Sequence, residues 1–403
     1  MSNADQVTAA FADVFGKALA YDRARQAREA GFYPYFLPLQ SNEGSEALYQ
    51  GRRILMFGSN NYLGLTTHPR VRAAAMKAIE EMGTSCTGSR FLNGTLEMHL
   101  ELERQLAEFV GKEAALVFST GMQTNLGTIS ALVGRSDTVF LDKDDHASIV
   151  DAARLGWGRI KRFRHNDLED LGRQLESTAD DQGRLVVVDG LYSMEGDLAP
   201  LPELLELSHR FGARVMVDDA HGVGVVGGGR GTAAHFDVVD ETDLIMSTFS
   251  KSFASLGGFI AGDAQVVDFI QHHARALIFS ASIPPPNAAA ALAALEIMRS
   301  EPERVERLQR NGERWRSGLQ RLGFDTGNSV SPIVPVIVGD DMVTFGMWRM
   351  LLDEGVYTNP VVSPATPNGR QLLRTSCMAT HTDDQIDRAL SAFEKIGRLA
   401  NLI

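Results

Sequence analysis

Ala114-Ala-Leu-Val-Phe-Ser-Thr-Gly-Met-Gln123 is a continuous apolar run, then a turn of small and hydroxyl residues, then the opening of a helix. A strand without polar alternation is one buried on both faces, as in a parallel sheet covered by helices. The same grammar recurs outward from it. Thr138-Val-Phe-Leu141, Arg184-Leu-Val-Val-Val188, Arg214-Val-Met-Val217, Leu244-Ile-Met246 and Leu256-Gly-Gly-Phe-Ile-Ala-Gly262 read as strands. Helical patterns separate most of them, with Leu96 to Phe109 one example. The alternation predicts an α/β domain with a mostly parallel sheet flanked by helices.

After about residue 285 the character changes. Pro284-Pro-Pro286 breaks the chain, and an Ala-rich helix from Ala288 to Met298 follows. Glu301 to Leu322, Met342 to Asp353 and Asp383 to Leu399 read as helices, and Ile333 to Val338 and Gln371 to Thr375 as strands. This predicts a smaller C-terminal α+β domain. At the other end, residues 1 to about 30 read as one amphipathic helix, with Phe11, Val14, Phe15, Leu19 and Tyr21 at helical spacing. Gly31 to Pro38 is an aromatic, proline-broken arm, and Ile54-Leu-Met-Phe57 is a short strand. The expected organisation is an N-terminal helix and arm over 1–52, a large domain over 53–290 and a small domain over 291–403.

With 403 residues, 44% hydrophobic and 22% charged, the chain has the composition of a globular protein of two or three domains. Its net charge of −12 argues against nucleic acid as a partner. Two distant cysteines, Cys86 and Cys377, and no secretory segment point to a cytoplasmic protein with free thiols. No apolar run approaches the roughly 20 residues of a membrane span, which leaves peripheral contact only.

Chemistry-bearing residues gather where an open α/β sheet presents ligands, at the C-terminal ends of strands. Gly121, in Ser119-Thr-Gly-Met122, allows close backbone approach at a helix N-terminus that offers amides to an anion, although an ordinary helix cap has the same pattern. Asp144-Asp-His146-Ala-Ser148 brings an imidazole that could stack on a flat ring or lie on a polar surface. Val217-Asp-Asp-Ala-His221 delivers Asp218 at a strand end, with His221 three residues on. A buried carboxylate there would keep a pyridine nitrogen protonated, and His221 could bond the ring oxygen. Metal ligation is the competing reading, but no third ligand stands at zinc-like spacing. Ser247-Thr-Phe-Ser-Lys-Ser-Phe253 places Lys251 between two strands among hydroxyls. Alone it describes a surface turn lysine. Together with Asp218, His221 and the glycine turn, it matches what pyridoxal phosphate needs: a lysine for the aldehyde, a carboxylate for the ring nitrogen, and hydroxyls and amides for the phosphate. No G-x-G-x-x-G follows the first strand and the glycine run 222–231 lacks a Walker lysine, so nucleotide sites fit less well.

Asn60-Asn-Tyr-Leu-Gly64, Gly88-Ser-Arg-Phe-Leu-Asn-Gly-Thr95, Asp218-Asp-Ala-His-Gly222, Thr248-Phe-Ser-Lys251 and Leu373-Arg-Thr375 stand in this order. Together they make the chain resemble the α-oxoamine synthase family of fold-type I pyridoxal-phosphate (PLP) transferases, from about residue 50 to the C-terminus. The resemblance implies that Lys251 binds the cofactor covalently and removes the α-proton, that Asp218 meets the pyridine nitrogen, His221 the ring oxygen, and that His146 stacks on the ring. Gly121, Met122, Thr248 and Ser250 would hold the phosphate, joined by Ser280 and Ala281 from a partner chain, with Ser193 also in the cofactor site. Arg374 would take the amino-acid carboxylate, with Asn61 nearby. It also implies a homodimer with shared active sites.

Phe163-Arg-His-Asn166, Leu191-Tyr-Ser-Met-Glu-Gly-Asp197, Thr248-Phe-Ser-Lys-Ser252 and Pro364-Ala-Thr-Pro367 are most similar to bacterial members of the family that condense L-serine with a long-chain acyl-CoA. Members that use alanine with pimeloyl-CoA, or glycine with a short acyl-CoA, share the chemistry. A catalytically silent partner subunit is a further alternative, against which the intact Lys251 argues. The chain departs from the bacterial pattern at Val362, where an arginine is expected beside the Pro-Ala-Thr-Pro loop, and at Thr87, where an asparagine is expected.

Overall fold

The computed structural model describes residues 13–403. Its centre is a seven-stranded sheet in the order Ala114–Phe118, Gly258–Gly262, Leu244–Thr248, Arg214–Asp218, Arg184–Asp189, Thr138–Asp142, Arg159–Phe163. All strands run parallel except Gly258–Gly262, which is antiparallel to both neighbours. Side chains alternate between two apolar layers. Val186, Val188, Val215, Val217 and Ile245 face one core, while Leu185, Val187, Met216, Leu244 and Met246 face the other. Gly121–Leu132, Ala147–Leu155 and Ala264–His273 cover the second face with Ile129, Ile149, Ala152, Val267 and Ile270. Glu97–Val110, Leu168–Glu176, Leu201–Arg210 and Pro285–Ser300 cover the first. The domain is therefore helix, sheet and helix in three layers, as the uninterrupted apolar strands require.

The parallel strands end together, so Phe118, Asp142, Asp189, Asp218 and Thr248 lie along one edge of the sheet. Gly258 sits between two of these ends, paired with Phe118 and Thr248. A Cβ there would stand 2.7 Å from Thr124 Oγ1 and 2.9 Å from Gly121 Cα. The glycine thus admits the helix Gly121–Leu132 onto the sheet edge.

A second body is built from Ser41–Asn42, Glu46–Tyr49, Arg52–Met56 and Val356–Tyr357 in one sheet and Ile333–Ile337, Leu372–Ser376 and Asn359–Val361 in another. Its core surrounds Trp315, Trp348, Phe57 and Phe393. The expected strand near Ile54 belongs here: Arg52–Met56 pairs in parallel with Val356–Tyr357, and Ile54, Met56 and Phe57 pack around Trp315. A boundary at 52/53 consequently runs through a strand, and one at 290/291 runs through the helix Pro285–Ser300. Pro285 and Pro286 open that helix instead of breaking the chain, because the first turn needs no N–H from them.

The single helix expected over residues 1 to about 30 is not what the described residues form. Gly16–Leu19 and Arg23–Glu29 are two short helices separated at Ala20–Asp22, and Phe11 lies outside the described residues. Val14, Phe15, Leu19 and Tyr21 are all more than half exposed. Without a buried apolar face, helicity in so short a segment has little to stabilise it. Gly31 to Pro38 is an irregular arm, as expected. Among the described residues no helix is long and apolar enough to cross a membrane.

Candidate active site

The loop after Leu244–Thr248 is closed by Phe249 N–H donating to Gly257 O (2.9 Å) and by Ser255 N–H donating to Phe249 O (2.8 Å). Phe249 and Phe253 are fully buried and pack on each other and on Phe259, with ring centroids 5.1 to 6.4 Å apart. The two rings fix the loop on either side of Lys251, which lines a cavity of about 240 Å³. Burial lowers the Lys251 pKa to about 8, against the opposing pull of the Asp218 and Asp189 carboxylates.

Gly121, Met122, His146, Asp218, His221, Thr248, Ser250 and Lys251 all line that cavity, as the sequence led us to expect of one site. Asp218, 4% exposed, ends its strand and accepts from Asn125 Nδ2 (2.7 Å) and Ala220 N–H (3.1 Å). His146 caps the helix Ala147–Leu155. Its Nδ1 accepts from Ser148 N–H (3.2 Å), so in the neutral ring the proton belongs on Nε2. Burial depresses its pKa, as does the charge of Lys251, while Asp218 works the other way. His221 Nδ1 lies 2.7 Å from the Tyr62 hydroxyl, and burial, then Lys251 and Arg374, push it well below the usual imidazole range.

The turn before Gly121–Leu132 has the form of an anion cradle. Thr120 caps the helix through Gln123 N–H (3.1 Å), which leaves the amides of Gly121 and Met122 without intrahelical acceptors. Thr248 Oγ1 bonds Gly257 O (2.9 Å) and lies 3.0 Å from Ser250 Oγ, so two hydroxyls face the same corner. A Cβ on Gly121 would meet Thr248 Oγ1 at 2.8 Å and its Cβ at 2.9 Å. Only a glycine fits here. This chain's own Ser280 and Ala281, the pair expected to act from a partner, stand beside the turn without lining the cavity. Gln123 Nε2 donates to Ser280 Oγ (2.7 Å), and Ser119 Oγ donates to Ala281 O.

Arg374, 5% exposed, reaches from the second body toward the cavity. Its Nε donates to Ser193 O (2.6 Å), and one terminal nitrogen donates to Asn60 Oδ1 (2.9 Å) and to the Tyr62 hydroxyl (3.3 Å). Tyr62 thus links Arg374 to His221. Ser193 contributes its carbonyl to this network, not a hydroxyl. Asn61 turns away, donating to Thr66 Oγ1 (2.8 Å) within its own loop, and Asn60 takes the place expected of it. Asn60, Tyr62, Asn125 and Asp189 are site residues that sequence reasoning did not single out. Burial, then the neighbouring Asp218, pushes the Asp189 carboxyl well up. Val362 does not line the cavity.

This donor set fits pyridoxal phosphate. The Gly121 cradle with Thr248 and Ser250 could hold a phosphate, Asp218 a protonated ring nitrogen, His221 a ring oxygen and Lys251 an aldehyde.

The aminotransferase class I and II family profile matches residues 52–393. The chain is 49% identical to a serine palmitoyltransferase of Sphingobacterium spiritivorum across 95% of this chain and 96% of that one. It is 43% identical to an 8-amino-7-oxononanoate synthase of Geobacter sulfurreducens across 94% and 98%. A serine palmitoyltransferase from S. paucimobilis, solved with PLP and myriocin bound, superimposes with a TM-score of 0.94 at 38% identity, over 97% of this chain and 100% of that one.

Proposed function

The chain belongs to the aminotransferase class I and II family, and from that premise we propose that it is a PLP-dependent acyltransferase. It condenses L-serine with a long-chain acyl-CoA, releasing CoA and carbon dioxide and leaving a 3-keto amino alcohol. One observation carries this reading: Lys251 and Asp218, from adjacent strands, share one cavity with a glycine-opened helix N-terminus. The relatives named serine palmitoyltransferase, similar over nearly the whole chain, support the choice of substrates.

Bound pyridoxal phosphate supplies the electron sink that lets the amino-acid Cα lose its proton. The chain's own residues do the rest. Lys251 would hold the cofactor aldehyde and, as a free amine with serine bound, would take the Cα proton on Nζ; its lowered pKa brings the neutral amine within reach near neutral pH. Asp218 stays an acceptor because two N–H groups donate to it, and as a carboxylate it favours a proton on the ring nitrogen. His146 and His221 are neutral at pH 7 and act as oriented hydrogen-bonding groups. Arg374, steadied by Ser193, Asn60 and Tyr62, takes the serine carboxylate. The carbon nucleophile attacks the thioester carbonyl and the thiolate leaves with CoA. Loss of the carboxylate as carbon dioxide would leave an electron pair on Cα, which takes back the proton held on Lys251 Nζ, while the CoA thiolate takes a proton from solvent.

The resemblance also leads us to propose a homodimer with active sites at the interface. The exposed Phe91, Leu92 and Phe279 support it as apolar surface for a second copy. A cytoplasmic location is part of the same proposal. The test is a panel of serine, alanine and glycine against acyl-CoAs of graded length. Discrimination amounts to about 1–3 kcal/mol per methylene, so a long-chain optimum with serine is the expected profile. Preference for alanine with a short dicarboxylic acyl-CoA would instead favour the activity named for the relative from Geobacter. A purified protein that stays colourless with added pyridoxal phosphate would sink the cofactor assignment.

A further inference from the structure

Two sequence motifs remain outside the chemistry so far: Phe163-Arg-His-Asn166 and Leu191-Tyr-Ser-Met-Glu-Gly-Asp197. In the fold they grip each other. His165 Nδ1 lies 3.0 Å from Asp142 Oδ1, and its Nε2 lies 2.9 Å from Asp197 Oδ2. Asp142 accepts from Asp144 N–H (2.8 Å) on one oxygen and from Asn166 N–H (2.8 Å) on the other, so both oxygens are turned to donors and a ring N–H at Nδ1 completes the set. Asp197 accepts from Asn166 Nδ2 (3.1 Å) on the oxygen that also faces His165. A ring that donates through both nitrogens to two carboxylates is an imidazolium.

Asp197 closes a hairpin. Leu191 bridges Leu198, Tyr192 N–H donates to Asp197 O (3.0 Å), and the His165 ring meets the edge of Tyr192 at 4.4 Å. The tip of the hairpin docks on the second body. Glu195 pairs with Arg370 (3.0 Å), and Gly196 O accepts from Val330 N–H (3.1 Å). Between root and tip, Ser193 O holds Arg374 Nε.

We propose that His165 is a positioning residue for the amino-acid site, a charged strut between Asp142 and Asp197 that ties the hairpin Leu191–Leu198 to the sheet edge and so sets the Ser193 carbonyl that aims Arg374. The inference rests on Arg374 being the carboxylate anchor. The groups facing the ring are the Asp142, Asp144 and Asp197 carboxylates, the Tyr192 ring and the Asn166 amide, with no cation among them. Burial opposes the charge, but the bonds to Asp142 and Asp197 prevail and raise the pKa to about 10. The clamp is therefore intact at neutral pH and is lost only as pH rises through about 10.

The test uses the holoenzyme. His165→Leu should raise the KM for serine roughly 10- to 100-fold, the scale of a small misplacement of a binding group. The KM for acyl-CoA and the affinity for pyridoxal phosphate should stay as they are. A general loosening of the fold would move all three. Asp197→Asn removes one carboxylate and keeps the shape, so the imidazolium should titrate at lower pH and the serine KM should climb with pH where the wild type is flat. An unchanged serine KM in His165→Leu, or a flat KM profile in Asp197→Asn should the first variant not fold, overturns the inference. If Arg374→Lys leaves the serine KM unchanged, the carboxylate anchor itself is wrong, a failure distinct from that of the strut.

Discussion

Gly121→Ala tests whether the turn Ser119–Gln123 is a phosphate cradle. The added Cβ would stand 2.8 Å from Thr248 Oγ1 and 2.9 Å from Thr248 Cβ, closer than side chains tolerate. Thr248 cannot swing aside cheaply, because its hydroxyl is held by Gly257 O at 2.9 Å and by Ser250 Oγ at 3.0 Å. Overpacking of this kind costs about 1–3 kcal/mol. The lower unfolded-state entropy of alanine returns about 0.4–1 kcal/mol, so the fold should lose about 1–2 kcal/mol and melt a few degrees lower. Binding should suffer more. Relief of the clash moves the helix N-terminus away from the hydroxyl pair, and each charge-assisted bond lost is worth about 1.5–3 kcal/mol, or roughly 10- to 100-fold in Kd. Apo-protein titrated with pyridoxal phosphate, followed by visible absorbance, gives the Kd, and a thermal melt of the same sample gives the stability. Gly346→Ala is the control. No atom lies within 4 Å of its Cβ in the helix Asp341–Asp353, so it should gain about 0.5–1 kcal/mol and leave the Kd untouched. A folded Gly121→Ala protein that binds the cofactor as the wild type does would refute the cradle.

Three further outcomes follow from the same structure. The Lys251 pKa near 8 lies below the ordinary lysine value, so its neutral, nucleophilic form grows as pH rises through about 8. The rate at which apo-protein captures pyridoxal phosphate covalently should share that midpoint, and a midpoint above pH 10 would contradict the burial that lowers it. Gly64 has φ +69° and a Cβ there would stand 2.3 Å from Thr380 Cγ2. Gly64→Ala should thus cost about 2–4 kcal/mol by denaturant melt and disturb the loop that seats Tyr62 on His221. Thr87 holds φ +51°, a left-handed conformation that suits asparagine far better than a β-branched side chain. Thr87→Asn should raise stability by about 1 kcal/mol, and a lower melting temperature would show that the turn depends on the threonine itself.

The parallel strands were legible because burial on both faces leaves no polar alternation, and Ala114–Phe118 and Arg214–Asp218 appear close to where the apolar runs place them. The edge strand Arg159–Phe163 was not. Its sequence, Arg-Ile-Lys-Arg-Phe, is mostly solvent-facing, as edge strands that resist pairing tend to be. The strand near Ile54 was legible, but not the body it joins: Ile54 and Phe57 find their partners around Trp315, far along the chain, and local periodicity carries no record of that. The site divides in the same way. Lys251, Asp218 and His221 carry their chemistry in their residue types, whereas Asn125 and Tyr62 acquire theirs from what they touch: Asp218 in one case, His221 and Arg374 in the other. Asn61 and Asn60 are neighbours, and only the turn geometry decides which of them meets Arg374.

A chain of net charge −12 proposed to take a phosphorylated cofactor and a carboxylate substrate needs its positive potential concentrated. The fold does this with few formal charges. The proposed phosphate corner offers the open amides of a helix N-terminus and two hydroxyls, and among the described residues no lysine or arginine other than Lys251 lines the cavity. Arg374, proposed for the carboxylate, stands in the other body and donates to neutral acceptors: Ser193 O, Asn60 Oδ1 and the Tyr62 hydroxyl. The carboxylates have separate surroundings: Asp218, proposed for the ring nitrogen, accepts from Asn125 and Ala220, burial and Asp218 push the Asp189 carboxyl up, and Asp142 and Asp197 face His165. None of these carboxylates takes Arg374, which leaves Arg374 and the helix amides available to the proposed anionic ligands. Substituting Asn60 by aspartate would break that separation by giving Arg374 an internal counter-ion, and serine binding should weaken while cofactor binding holds. Loss of both together would place Arg374 in the cofactor site instead.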